Sequence, residues 1–152
     1  MVAQEVKIAV VLSAYGAFVT YVPLKTEVPF LDYISLPKQA PTHTVTPRAS
    51  LNPEEEAKAV RVAFKDTPVV VFVPGRAFDA LGTRHGRGGG WYDRFLGYLP
   101  KNWLRVGFCY PSQFSEAPLL RQPWDQPVDY VCVSEGEQLF VYETHARDIL
   151  KS

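Results

Sequence analysis

Four glycines within five positions, Gly86, Gly88, Gly89 and Gly90, separate a continuous apolar run, Val69–Val73, from an amphipathic run that begins at Trp91. An apolar run closed by a turn pair, here Pro74-Gly75, fits a strand buried on both faces. Glycine clusters let the backbone take positive φ and bring a ligand close to main-chain N–H groups. Where a helix starts directly after them, its first-turn N–H groups are free and its dipole adds partial positive charge, so phosphate is the natural guest. Arg84, Arg87 and Arg94 surround that spot, and a guanidinium binds phosphate or carboxylate through two donors. Asp93 is the carboxylate at the loop–helix junction, a hard oxygen ligand suited to Mg²⁺ against bound phosphates. A mobile turn is the plain alternative, since G-x-G-G-G matches neither the dinucleotide fingerprint nor the P-loop.

The flanking chain reads as alternating elements. Asn52-Pro53-Glu54-Glu55-Glu56 is a helix start, with an Asn cap, Pro at the first position and acids in the first turn. Ala57, Val60, Ala63 and Phe64 give that helix an apolar stripe, the glutamates a solvated face, and residues 65–68 its end. Strands are expected over 18–22, 69–73, 104–109, 128–133 and 138–142, the last two forming a hairpin across 135–137. A helix is expected over 88–99 and another over 143–150, while 2–14 fits a short buried helix or a strand. Residues 39–53, rich in Pro, Thr and Ser, read as a loop. His43 within it has no partner nearby in sequence and reads as an incidental surface histidine. The pattern predicts one α/β domain over residues 1–152: an open, mostly parallel sheet flanked by helices, Rossmann-like and three-layered, with a short C-terminal hairpin. Ligands of such sheets sit beyond the carboxyl ends of the strands, which puts 76–90 near the crevice.

Composition narrows the partners. The 152 residues include 16 basic and 16 acidic side chains, so no global field draws the molecule to nucleic acid or an anionic membrane. Any anion site must be local. Cys109 and Cys132 lie in strand-like runs and read as free, buried thiols, with a disulfide between neighbouring strands as the other reading. No signal peptide is evident at the start, and the apolar stretch over 8–22 is too short to span a bilayer. Cytoplasm is the expected location.

The motifs sharpen this reading. V-P-G-R-A-F-D (73–79) followed by G-T-R-H-G-R-G-G-G-W-Y-D-R-F-L (82–96) closely resembles the signature of the 5-formyltetrahydrofolate cyclo-ligase, or methenyltetrahydrofolate synthetase, family. G-F-C-Y-P-S-Q-F (107–114), W-D-Q-P-V-D-Y-V (124–131) and Ser134-Glu135 continue the likeness in order. Y-V-P-L-K-T-E-V (21–28) is similar to the family's Y-x-P-x-x-x-E-V. The match is good over 69–135 and poor in the first half.

The resemblance implies an ATP- and Mg²⁺-dependent closure of 5-formyltetrahydrofolate to 5,10-methenyltetrahydrofolate, releasing ADP and phosphate. It assigns ATP binding to Arg84, His85, Gly86, Arg87, Gly88, Gly89, Gly90, Trp91 and Tyr92, and Mg²⁺ to Asp93 and Asp125. Arg87 is the catalytic candidate, facing the substrate or the transferred phosphate. Glu27, Arg87 and Trp91 are the substrate-contact candidates. A solvated loop acid is the alternative for Glu27, and core packing the alternative for Trp91 and Tyr92. His85 stands where the family usually has Leu, and no catalytic role is expected for it. The expected partners are small molecules, a reduced folate and ATP, and the chain is expected to be a monomer or homodimer.

Two departures matter. Pro29 and Leu36-Pro37 come early after Glu27, so the family's helix there is expected to be shortened or replaced. The family commonly begins with a helix carrying Lys and Arg residues that reach the phosphates. Here Lys7 is the one basic residue before the 18–22 strand, as in an N-terminally shortened relative. A binding module that keeps the glycine loop but has lost turnover is therefore the alternative function. An RNA-binding domain built on Arg84, Arg87, Arg94 and exposed aromatics is disfavoured by the neutral net charge.

Overall fold

The computed structural model describes residues 2–47 and 51–148. In chain order the elements are α1 (Val2–Leu12), β1 (Ala17–Tyr21), β2 (Thr42–Val45), α2 (Pro53–Ala63), β3 (Val69–Val73), β4 (Ala77–Asp79), β5 (Arg84–His85), α3 (Trp91–Gly97), β6 (Leu104–Cys109), β7 (Phe114–Ser115), β8 (Tyr130–Glu135) and β9 (Gln138–Glu143). Among the described residues the main sheet has six strands in the order β2-β1-β3-β6-β8-β9. Every neighbouring pair is parallel except β8 and β9, which form the C-terminal hairpin. Gly136, at φ 63°, makes its tight turn.

The period of two along β3 explains the layers. Val69, Val71 and Val73 face α2 and α3, packing with Ala57, Val60, Phe95 and Leu96. Val70 and Phe72 face the opposite side, with Ile8 and Leu12 of α1. There Phe72 meets Phe30 and Phe108 edge-on, with ring centroids 5.0 and 5.2 Å apart. A strand sandwiched this way must be apolar at every position, and β3 is buried throughout. The three-layer expectation holds.

A second, three-stranded sheet, β5-β4-β7, sits over the carboxyl end of β6. Phe78 of β4 lies against the backbone of Gly107 in β6. A Cβ at Gly107 would fall 2.4 Å from Cε1 of that ring, so no other residue admits this approach. Buried Asp79 closes the β4–β5 turn and ties it to the later chain, accepting N–H groups of Leu81, Thr83 and Leu119 at 3.0, 2.9 and 2.8 Å.

Asn52 caps α2 as expected, its side chain accepting from the N–H groups of Glu54 and Glu55. Several other expectations need correction. The stretch 39–53 is not all loop, because 42–45 form β2, an edge strand parallel to β1. His43 on β2 is not without a partner: its Nε2 meets Oε1 of Glu56 on α2, so that glutamate is not merely solvated. Ala63 is exposed, outside the buried stripe. The helix expected over 88–99 spans only 91–97, and the strand expected over 128–133 is shifted to 130–135. Of the helix expected over 143–150, Glu143 belongs to β9 and 144–147 are not helical, whereas Asp148 is; residues 149 and 150 lie outside the described residues. The ambiguous 2–14 segment is helical over 2–12. Cys109 and Cys132 are buried and form no disulfide. Burial alone pushes the Cys109 thiol up to about 12. Among the described residues no helix is long and apolar enough to cross a membrane.

Candidate active site

β1 and β3 end at one edge of the sheet, and a cleft of about 1100 Å³ opens there. That is room for two small molecules side by side. One wall is the glycine loop and the start of α3; the second is the segment after β1; the third is the stretch around Gln122, Trp124 and Asp125. Leu51, Asn52 and Pro53, at the start of α2, close the fourth side.

The loop itself is open. Gly88 and Gly90 have φ of 98° and 68°, the left-handed region that disfavours side chains, and nothing lies within 4 Å of where a Cβ would stand at Gly88, Gly89 or Gly90. Their backbone is therefore accessible from the cleft. α3 has only seven residues, so its dipole is a smaller contribution than the motif implied.

Asp93 and Asp125, 32 positions apart, come together where the start of α3 meets the third wall. Oδ1 of Asp93 accepts the N–H of Gln126 at 3.0 Å, and Oδ2 of Asp125 accepts the N–H of Gln122 at 2.8 Å. Burial raises the Asp93 pKa; the Gln126 N–H and the Arg84 cation oppose that rise, and the adjacent Asp125 carboxylate adds to it. Two half-buried carboxylates close enough to interact directly suit a cation completed by water and phosphate, the usual setting of Mg²⁺. Among the described residues, no cluster of three or more His, Cys, Asp or Glu side chains offers an all-protein cage.

Glu27 and Arg87 meet where the glycine loop touches the segment after β1. Arg87 Nε lies 3.5 Å from Glu27 Oε2, and its Nη2 also donates to Thr26 Oγ1. The Glu27 side chain is nearly covered, while that of Arg87 remains half exposed. Two residues of the Y-P-S-Q turn grip this segment from below. Gln113 Nε2 donates to the Thr26 carbonyl at 3.0 Å, and the Tyr110 hydroxyl donates to that of Glu27 at 3.4 Å.

The remaining candidates line the same cleft in different roles. Arg84 is buried beneath the loop, donating through Nε to the Pro74 carbonyl at 2.6 Å, with its guanidinium 4.9 Å from the Tyr92 ring centre. Burial lowers its pKa. The Tyr92 hydroxyl is buried and has no hydrogen-bond partner among the described residues. Burial also raises the Tyr92 pKa. His85 directs Nε2 to the Leu120 carbonyl at 2.6 Å. Trp91 donates to the Leu51 carbonyl at 2.9 Å and stacks on Phe95, so it combines the packing role with a place on the cleft wall. Arg94 is exposed and reaches back to the Gly89 carbonyl at 3.4 Å.

Sequence reasoning missed the fourth side of the cleft and the gripping role of Tyr110 and Gln113. The Y-P-S-Q motif signalled the latter, but a side chain 87 positions from its partner leaves no periodic trace.

Known proteins were compared with this geometry. A family model described as the 5-formyltetrahydrofolate cyclo-ligase family matches residues 16–134. The 5-formyltetrahydrofolate cyclo-ligase of Mycoplasma genitalium is 37% identical over 60 residues, 40% of this chain and 35% of that protein. The mitochondrial 5-formyltetrahydrofolate cyclo-ligase of Arabidopsis thaliana is 47% identical over 66 residues, 41% of this chain and 24% of that protein. The match to these curated relatives thus spans about a third of their length or less. A solved structure of a 5,10-methenyltetrahydrofolate synthetase from Mycoplasma pneumoniae superposes with a TM-score of 0.57 at 20% identity, covering 84% of this chain and 80% of that one. At that identity the likeness is one of fold.

Proposed function

We propose, because the chain belongs to the 5-formyltetrahydrofolate cyclo-ligase family, that it closes 5-formyltetrahydrofolate to 5,10-methenyltetrahydrofolate at the expense of ATP. The observation that supports the reading most is the meeting of Asp93 and Asp125 in one cleft with Glu27 and Arg87, beside the open glycine loop. Phosphoryl transfer asks a protein chiefly for positioning and for stabilisation of developing charge. The cleft has parts for both.

In this reading the formyl oxygen attacks the γ-phosphorus and ADP leaves. N10 then adds to the activated carbon, and the N10 proton and phosphate depart, leaving the methenyl bridge. The backbone of Gly88, Gly89 and Gly90 binds the phosphates, and Arg87 faces the oxygens that gain charge. Asp93 and Asp125 would hold Mg²⁺, which when bound screens the phosphate charge. Glu27 takes the folate, its carboxylate set by the Leu24 N–H at 3.0 Å. Arg84 and Tyr92 form the floor beneath the phosphates, and the unpartnered Tyr92 hydroxyl awaits a polar atom of a ligand.

A second reading, a binding relative without turnover, draws on two observations. Residues 7–12 of α1 lend nothing to the cleft lining, and Lys7 pairs with Glu143 at 3.5 Å. Arg87 is also already engaged by Glu27 and Thr26. One experiment separates the two readings. Protein mixed with 5-formyltetrahydrofolate, ATP and Mg²⁺ should gain the near-ultraviolet absorbance of the methenyl product. No gain in absorbance, with nucleotide binding intact by calorimetry, would favour the binding relative.

A further inference from the structure

Two like-charged carboxylates do not stay together unaided, and they sit on separate pieces of chain. Asp93 is on α3, a helix of seven residues, and Asp125 is on an irregular segment between β7 and β8. One buried side chain joins the two carriers. Arg105 on β6, 2% exposed, donates from Nη2 to the Leu96 carbonyl in the last turn of α3 at 2.8 Å. From Nη1 it donates to Oε1 of Gln126 at 2.9 Å. Gln126 closes the loop, since its own N–H is the group that binds Asp93 Oδ1.

The Arg105 backbone is itself fixed. Its N–H donates to Asp129 Oδ2 at 2.8 Å, and that oxygen also receives Nη1 of buried Arg147 at 2.7 Å. A guanidinium is a planar fork, so two acceptors bound to its two arms are held at a set spacing. Here both acceptors are neutral, a carbonyl and an amide. Burial and the Arg147 cation oppose the Arg105 charge although the Asp129 carboxylate favours it, and an apolar side chain of similar volume is often no less stabilising than such a buried charge. Packing therefore does not account for it.

We propose that Arg105, acting through Gln126, is a positioning residue that sets the spacing of Asp93 and Asp125 and thereby the gain a divalent cation confers on nucleotide binding. The inference rests on the reading of these two carboxylates as cation ligands. Its test is calorimetric ADP binding with and without Mn²⁺, on the parent protein, Gln126→Met and Arg105→Lys, with thermal unfolding of each. Gln126→Met keeps the length of the side chain and its backbone N–H but removes the acceptor. It should lose about tenfold of the Mn²⁺-dependent gain, the low end of what an outer partner of a metal ligand is worth. Its metal-free ADP affinity should be unchanged, which a general loss of structure would not allow. Arg105→Lys, which keeps the charge but not the fork, should lose gain in the same direction. A folded Gln126→Met with the parent's full Mn²⁺ gain would overturn the positioning role alone. A parent with no Mn²⁺ gain would overturn the cation reading and this inference with it.

Discussion

On one wall of the cleft Asp93 and Asp125 are anchored by backbone N–H groups over a floor of buried side chains, whereas elsewhere in its lining Glu27 meets Arg87 through a long, half-exposed guanidinium. The first wall is tied to the central sheet through β6 and cannot shift without disturbing the core. The second is a contact between the glycine loop and the segment that Tyr110 and Gln113 hold, and an ion pair whose guanidinium is half exposed contributes little to stability. The difference implies a division of labour. A cation needs ligands at a fixed spacing, while a large substrate needs a wall that gives way on entry and closes behind it.

The largest expected effect tests the fixed wall. Asp125→Asn should reduce turnover by about 10²–10³-fold, the scale of losing one main electrostatic contributor to charge stabilisation, while circular dichroism shows an intact fold. Equal Mg²⁺ dependence of variant and parent would remove Asp125 from the site.

Next comes the floor beneath that wall. Gly107→Ala puts a methyl group into the Phe78 ring and should cost about 1–3 kcal/mol, as overpacking typically does. Thermal unfolding should report it at about 2–4 °C per kcal/mol for a chain of this size. Unchanged unfolding would mean that β4 lifts off β6 easily, and the rigid wall would lose its support.

The adjustable wall predicts a different signature. Arg87→Ala should leave the unfolding temperature within about the ±0.5 kcal/mol typical of surface changes, while turnover drops. A clear loss of stability in Arg87→Ala would show that the contact is structural, and the contrast between the walls would fail.

The smallest effect concerns charge on the fixed wall. The pKa of Asp93 is raised in the folded state, so its contribution to stability is fully present below the unfolded value of 3.8 and is lost as pH rises through the folded value. At neutral pH the metal-free protein therefore carries a penalty from this carboxylate. Asp93→Asn should remove it and raise the melting temperature, by less than the about 2–4 °C that 1 kcal/mol produces, because water screens a half-exposed group. A lower melting temperature at pH 7 would contradict the sign.

Much of this arrangement was legible from residue types, and the failures have physical causes. β3 was read to the residue because a strand covered on both faces is apolar throughout, and β6 was read to the residue although the buried Arg105 interrupts its apolar run. β2 was missed because an edge strand buries little; only Val45 of its four residues is buried. The end of α3 was placed two residues too late: the helix stops at Gly97, and buried Arg105 donates to the Leu96 carbonyl in its last turn. The helix expected from 143 begins no earlier than Asp148, because Glu143 remains in the hairpin as the partner of Tyr130.

What the chain determined by itself is local: the buried strand, the glycine loop that follows it, the capped helix α2 and the family motifs, each set by side chains within a few residues of one another. Tertiary structure alone decided that Asp93 and Asp125 share a wall, that Glu27 faces Arg87, and that Arg105 lies under both carboxylate carriers. Asp93 and Asp125 are 32 positions apart and Glu27 and Arg87 are 60, while Arg105 reaches 9 positions back to Leu96 and 21 forward to Gln126; their spacing comes from the order of strands in a twisted sheet, which no local period encodes.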